Sequence, residues 1–132
     1  MKQIILLIVL CFISLTSSAL ETQKAVKTST EGGRYELVQS EIARKYFFKL
    51  DKYTGDVYQL VLKSNGDKTW QKMQVIGLGL DTIKEDTINF QIFMGGMAVS
   101  DCFMINIHTG KTYLLYQDED TDALFWSYII ED

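Results

Sequence analysis

The chain has no proline among its 132 residues, only two cysteines and a single histidine. Each scarcity removes a class of answer. Proline on an edge strand is a common block against sheet-to-sheet pairing. A β protein made from this chain must instead guard its edges with charge, loops, closure of the sheet or dimerisation with a second copy. Cys11 lies in an N-terminal apolar run, and Cys102 is the one thiol left in the rest of the chain. One thiol cannot close an internal disulfide, so the domain is held by its core. Cys102 sits beside Phe103 in an expected strand and reads as a buried structural thiol rather than a nucleophile. One histidine excludes a His/Cys metal cluster, and any Ser-His-Asp triad would have to use His108, which falls in a turn. There is no P-loop, and Gly77-Leu78-Gly79 lacks both the third glycine and the following helix of a dinucleotide site. Basic residues are also few, 13 against 17 acidic ones, for a net charge of −4. With no basic patch, nucleic acid is excluded as a partner. Apolar residues at helical spacing are sustained nowhere beyond the first 19 residues, and nothing in the sequence calls for a cofactor.

Those first 19 residues read as a signal peptide. Lys2 gives a positive start, residues 4–13 form an almost unbroken apolar run, and Ser17-Ser18-Ala19 offers small residues for cleavage. The run is shorter than the roughly 20 residues of a membrane span. Bulky Leu10 before Cys11 speaks against a lipoprotein signal. The expected product is exported, periplasmic or secreted, with 113 residues, a net charge of −5 and no transmembrane span. Residues 20–33, polar and ending in Gly32-Gly33, read as a linker. A single β domain is expected over 34–132.

What the chain does have is an echo at an offset of 55. Phe48-Lys49-Leu50-Asp51-Lys52-Tyr53-Thr54-Gly55-Asp56-Val57-Tyr58-Gln59-Leu60 returns as Phe103-Met104-Ile105-Asn106-Ile107-His108-Thr109-Gly110-Lys111-Thr112-Tyr113-Leu114-Leu115. Tyr35 and Leu37 match Phe90 and Ile92, and Trp70 matches Trp126 one residue later. Such self-similarity signals repeated architecture. The matched residues are apolar and two apart within each segment, which is strand spacing, so the echo is expected to mark one buried face. The domain would then be two repeats, 34–75 and 88–130. Strands are expected at 34–39, 46–51, 57–63 and 69–75, then at 88–93, 102–107, 112–117 and 124–130. Asn65-Gly66 marks a hairpin, and short helical turns could fall at 39–45 or 81–86. The fold class is all-β: two four-stranded antiparallel units, related by a pseudo-two-fold, forming a sandwich or a barrel.

The repeated hairpin, F-x-[LI]-[DN]-x-x-T-G-x-x-Y, resembles the inner hairpin of quinoprotein (PQQ-type) propeller blades. It is also similar to small secreted two-repeat β proteins of Bacteroides-type bacteria. The resemblance implies an antiparallel hairpin. It carries over no quinone chemistry, because Tyr58 and Tyr113 stand three residues after the glycine where the quinoprotein tryptophan stands four after it. Two copies also fall short of the four or more blades that close a propeller.

Two sets of residues are candidate sites. Trp70 and Trp126 could form a binding platform if exposed, or pack the core if not. Asp118, Asp120 and Asp122 match acidic positions of a calcium loop, although Ala123 and Ile129 replace its glycine and its glutamate; otherwise they form a solvated hairpin loop. The expected function is a non-catalytic binding module for a protein or a glycan, with exported enzyme inhibitors as one subclass. The alternatives are a hydrolase with dispersed carboxylates, or a structural component of an envelope assembly.

Overall fold

The computed structural model describes residues 27–28, 32–39, 46–95 and 101–130. Among these residues ten strands make two five-stranded sheets. The first runs β1 (Lys27–Thr28), β2 (Tyr35–Gln39), β3 (Phe47–Asp51), β4 (Val57–Leu62) and β5 (Lys68–Lys72), paired in that order and antiparallel throughout. The second contains β6 (Val75–Ile76), β7 (Phe90–Met94), β8 (Cys102–Asn106), β9 (Thr112–Gln117) and β10 (Leu124–Tyr128), in the order β6-β10-β9-β8-β7. Here β7 to β10 are antiparallel and β6 lies parallel to β10. The sheets are open, so the barrel is excluded. The signal segment and the expected helical turn at 39–45 lie outside the described residues.

The tight turns follow from their residues. In the β3–β4 turn, the Asp51 carboxylate accepts the Tyr53 amide at 3.0 Å and the Gly55 amide reaches the Asp51 carbonyl at 2.8 Å. In the β8–β9 turn, Asn106 does the same for His108 at 2.9 Å and Gly110 at 2.8 Å. Gly55 and Gly110 have φ of 79° and 77°, a region that a side chain disfavours. Thr54 and Thr109 each take the amide two residues on, at 3.3 Å. The D/N-x-x-T-G spacing is thus a turn specification.

The inner faces of both sheets share one core. Phe48 meets Trp126 edge to face at 6.0 Å between centroids, and Phe90 meets Tyr113 at 6.4 Å. The connector binds the two sheets. After β5 the chain crosses at once to lay β6 against β10, and the Trp126 amide reaches the Gln74 carbonyl at 2.9 Å. A 3-10 turn at Leu78–Leu80 takes the place of the expected helical turn at 81–86. Asp81 accepts the Tyr113 hydroxyl at 3.0 Å and the Thr109 hydroxyl at 3.1 Å. Buried Asn89 donates to the carbonyls of Tyr53, Lys84 and Thr87 and accepts the Lys84 amide, so its polar atoms are satisfied inside the fold.

One expectation is overturned. The echo does not mark a common buried face. Leu50 is 0 % exposed while its counterpart Ile105 is 37 % exposed; Tyr35 is 55 % exposed while Phe90 is 0 %. A two-fold between the sheets would bury the same face of each. The first sheet instead buries Val38, Phe48 and Leu50, and the second buries Phe90, Ile92, Tyr113, Leu115 and Trp126. The expected pseudo-two-fold is therefore absent. The physical reason is that apolar residues occupy both faces of these strands, as in Phe47-Phe48 and Val57-Tyr58, so strand spacing alone could not choose the phase.

Candidate functional site

The two tryptophans part company. Trp126 is fully buried, and its indole N–H finds no acceptor among the described residues, so packing holds its side chain. As a core residue it cannot meet a ligand. Trp70 is half-buried on the outer face of the first sheet. Residues opposite one another across antiparallel strands share a face. Leu60 lies opposite Trp70, Lys49 opposite Tyr58, and Leu37 opposite Lys49, so these four join it there. Phe47 packs tilted on Trp70 at 5.7 Å. The Lys49 ammonium lies 4.5 Å from the Tyr58 ring centre and 5.2 Å from that of Trp70, within cation–π range of both. Its aliphatic stem lies along the apolar surface while its charge stays at the rings. The sequence reading offered Trp70 as a candidate, but the rest of this face escaped it because Leu37, Tyr58 and Leu60 were expected in the core. The signal was present in β4, Val-Tyr-Gln-Leu-Val-Leu, which is interrupted only by Gln59 and has apolar residues in both phases.

The second sheet also presents an apolar outer face. Phe103 lies opposite both Phe93 and Leu114, and Tyr116 opposite Phe125, with that last pair of rings stacked at 5.6 Å. Gln91, Thr112 and Ser127 are the polar residues of these strands on that side, and none is charged.

The acidic loop is folded on itself. The Asp118 carboxylate accepts the Thr121 hydroxyl and amide, both at 2.8 Å, and the Asp120 amide at 3.1 Å. These bonds, led by the Thr121 hydroxyl, hold its pKa below the usual carboxylate range. Asp122 takes the Gln117 amide nitrogen at 2.9 Å. Among the described residues no three acidic, histidine or cysteine side chains come together as a metal site; Asp118, Asp120 and Asp122 form a self-capped turn instead. The loop borders a cleft of about 450 Å³ between the sheets, whose other wall carries Gln59, Gln71 and Gln74.

The remaining candidates have structural roles. Burial, with a smaller push from Asp101, raises the Cys102 thiol to about 11, which leaves it protonated and unreactive. His108 donates from Nε2 to the Ile88 carbonyl at 3.0 Å, which leaves Nδ1 as acceptor for the Lys84 ammonium at 3.2 Å. Arg34 grips Asp51 through both carboxylate oxygens, at 2.7 to 3.1 Å. Burial alone would raise the Asp51 pKa, but Arg34 and the Tyr53 amide outweigh it and hold it low. The two displaced carboxyls, Asp51 and Asp118, are both shifted down, opposite to what a general acid requires. No helix among the described residues is long and apolar enough to cross a membrane.

Comparison with known protein families, with curated proteins and with solved structures finds no match to this chain.

Proposed function

We propose that the chain is an exported, non-catalytic binding module that uses the outer face of its first sheet to hold a protein partner. One observation carries this reading: Trp70, Tyr58 and Phe47 form a half-exposed cluster threaded by Lys49 in the middle of an open sheet. Clustered aromatics with an apolar surround are the usual anchors of a protein interface. A protein is favoured over a glycan because the rings pack on one another and on Lys49, rather than offering a free flat surface to a sugar.

The chain is also read as two copies of one four-stranded unit. Matching strand registers support this. Tyr35 lies opposite Asp51 as Phe90 lies opposite Asn106, and Leu60 opposite Trp70 as Leu115 opposite Trp126.

The test is a photo-cross-linking residue placed at Tyr58, irradiated in the producing cells, with the same residue at exposed Glu85 as control. A discrete protein adduct from position 58 alone is the expected result. Absence of an adduct at 58, or equal adducts at both sites, overturns the reading. So does a change in Trp70 emission on titration with oligosaccharides alone.

A further inference from the structure

We propose that the partner on this face is a second copy of the same chain, docked head to tail: the outer face of the second sheet of one molecule covers the outer face of the first sheet of the next. The inference rests on the binding-module and two-copy readings above and names the partner.

The argument is the crossed burial. At the 55-residue offset, Tyr35 on the open face of the first sheet has buried Phe90 as its counterpart in the second; Leu37, Tyr58 and Leu60 have buried Ile92, Tyr113 and Leu115. Conversely, Phe93, Phe103 and Ile105 on the open face of the second sheet correspond to buried Val38, Phe48 and Leu50 in the first. Inside the molecule, then, one face of the first unit packs on the opposite face of the second. That contact is heterologous: it uses two different surfaces and leaves one of each unused at the two ends. A contact of this kind can be repeated between molecules, closing into a ring if the rotation allows or growing open-ended if it does not. An isologous dimer, by contrast, would pair like faces.

Position by position, the intermolecular contact continues the intramolecular one. Trp70 of one chain would meet Phe103 of the next, as Trp126 meets Phe48 within the chain at 6.0 Å. Three lysines depart from the template. Lys49 stands where the second unit has fully buried Met104, and Lys68 and Lys72 stand where it has Leu124 and Tyr128, both packed against the core. Covering Lys49 costs part of its hydration, so the contact between molecules is weaker than the core and reversible.

The experiment uses the chain purified as the cell produces it and measures mass by sedimentation across a concentration series. The wild type is expected to gain mass with concentration. Leu60→Glu blocks the first face and Phe103→Glu the second; each alone is expected to be monomeric, weakened by about thirtyfold or more, the effect of removing one interface anchor. The two mixed in equal amounts are expected to form pairs and nothing larger, because one intact face of each kind remains. This recovery also shows that both variants are folded. Lys49→Met is expected to tighten association by about tenfold. If either blocked variant still pairs with itself, or the mixture stays monomeric, the head-to-tail arrangement is refuted. If wild type and Lys49→Met are both monomeric while position 58 cross-links a different protein, self-docking falls and the binding module stands. If they are monomeric and position 58 captures nothing, both fall.

Discussion

Leu50 and Ile105 occupy the same place in the 55-residue echo, yet truncating them should have very different costs. Leu50 is fully buried, lies opposite Val57 and belongs to the shared core. Leu50→Ala removes buried methyl groups and leaves a cavity, at about 3 kcal/mol. Ile105 is 37 % exposed on the outer face, opposite Gln91 and Thr112. Ile105→Ala opens no cavity and loses only part of the burial, about 1 kcal/mol. For a domain of this size, with a urea slope of about 1.5 kcal/mol per molar, the midpoints fall by about 2 M and about 0.7 M.

The reciprocal pair inverts the order. Phe90→Ala in the second unit should cost about 4 kcal/mol and Tyr35→Ala in the first about 1, because Phe90 is buried and Tyr35 is exposed. The measurement is urea unfolding followed by near-ultraviolet circular dichroism, at a concentration low enough that association adds nothing to stability. The decisive pattern is the crossing, with the costly member in the first unit for one pair and in the second for the other. Equal drops within both pairs would mean that the units bury the same face, and the crossed-face argument would be wrong.

Two further outcomes follow from local chemistry. The Asp51 pKa is lowered in the folded state, so its contribution is present above the ordinary carboxylate pKa of about 4 and is lost as pH falls through the depressed value. Asp51→Asn retains the turn acceptor, as Asn106 shows, but loses the Arg34 pair; the midpoint measured between about pH 2 and pH 6 should fall less steeply on the acid side than in wild type, and an unchanged acid limb would refute the assignment. Gly55→Ala and Gly110→Ala share the φ penalty of about 1 kcal/mol, but a methyl on Gly55 would meet Leu78 at 2.8 Å and Phe90 at 2.9 Å while one on Gly110 meets nothing within 4 Å; thermal unfolding should therefore show the larger loss at Gly55, and equal losses would sink the packing argument.

Much of the strand framework was legible in the sequence because its signals are local. The eight expected strands correspond to β2–β5 and β7–β10, with ends shifted by a few residues, and the strand at 112–117 begins and ends where periodicity placed it. Asp51, Asn106, Gly55 and Gly110 specify their turns through bonds that span only a few residues. The two-residue strands β1 and β6 were not legible. A pair of residues has no period, and both strands exist only because a neighbouring strand offers them an edge. The choice of face was not legible either. A period of two says that alternate residues share a side but not which side is inside, and strands such as Val-Tyr-Gln-Leu-Val-Leu carry apolar residues in both phases. The candidate site fell into that gap, because Trp70 and Trp126 look equivalent until the packing partner of each sheet is known.

Two units can bury themselves in either of two ways, with different requirements. Two-fold packing needs one apolar face per unit, and the other face is free to become polar. Head-to-tail packing needs two apolar faces per unit and leaves one of each kind open at the ends. A chain that remained alone would gain solubility from charge on both open faces, since large exposed apolar patches invite association. The first sheet has gone part of the way, with Lys49, Lys68 and Lys72 on its outer side. The second has gained no charge on its outer strand positions, where Phe93 is 59 % exposed beside Phe103. Two copies of the first face would bring lysine against lysine, so the lysine-bearing aromatic face is not suited to pair with its own copy. The unlike combination sets apolar surface against apolar surface around these lysines, of which Lys49 already lies along Tyr58 and Trp70 at 4.5 and 5.2 Å and Lys72 is paired with Asp56 at 2.9 Å.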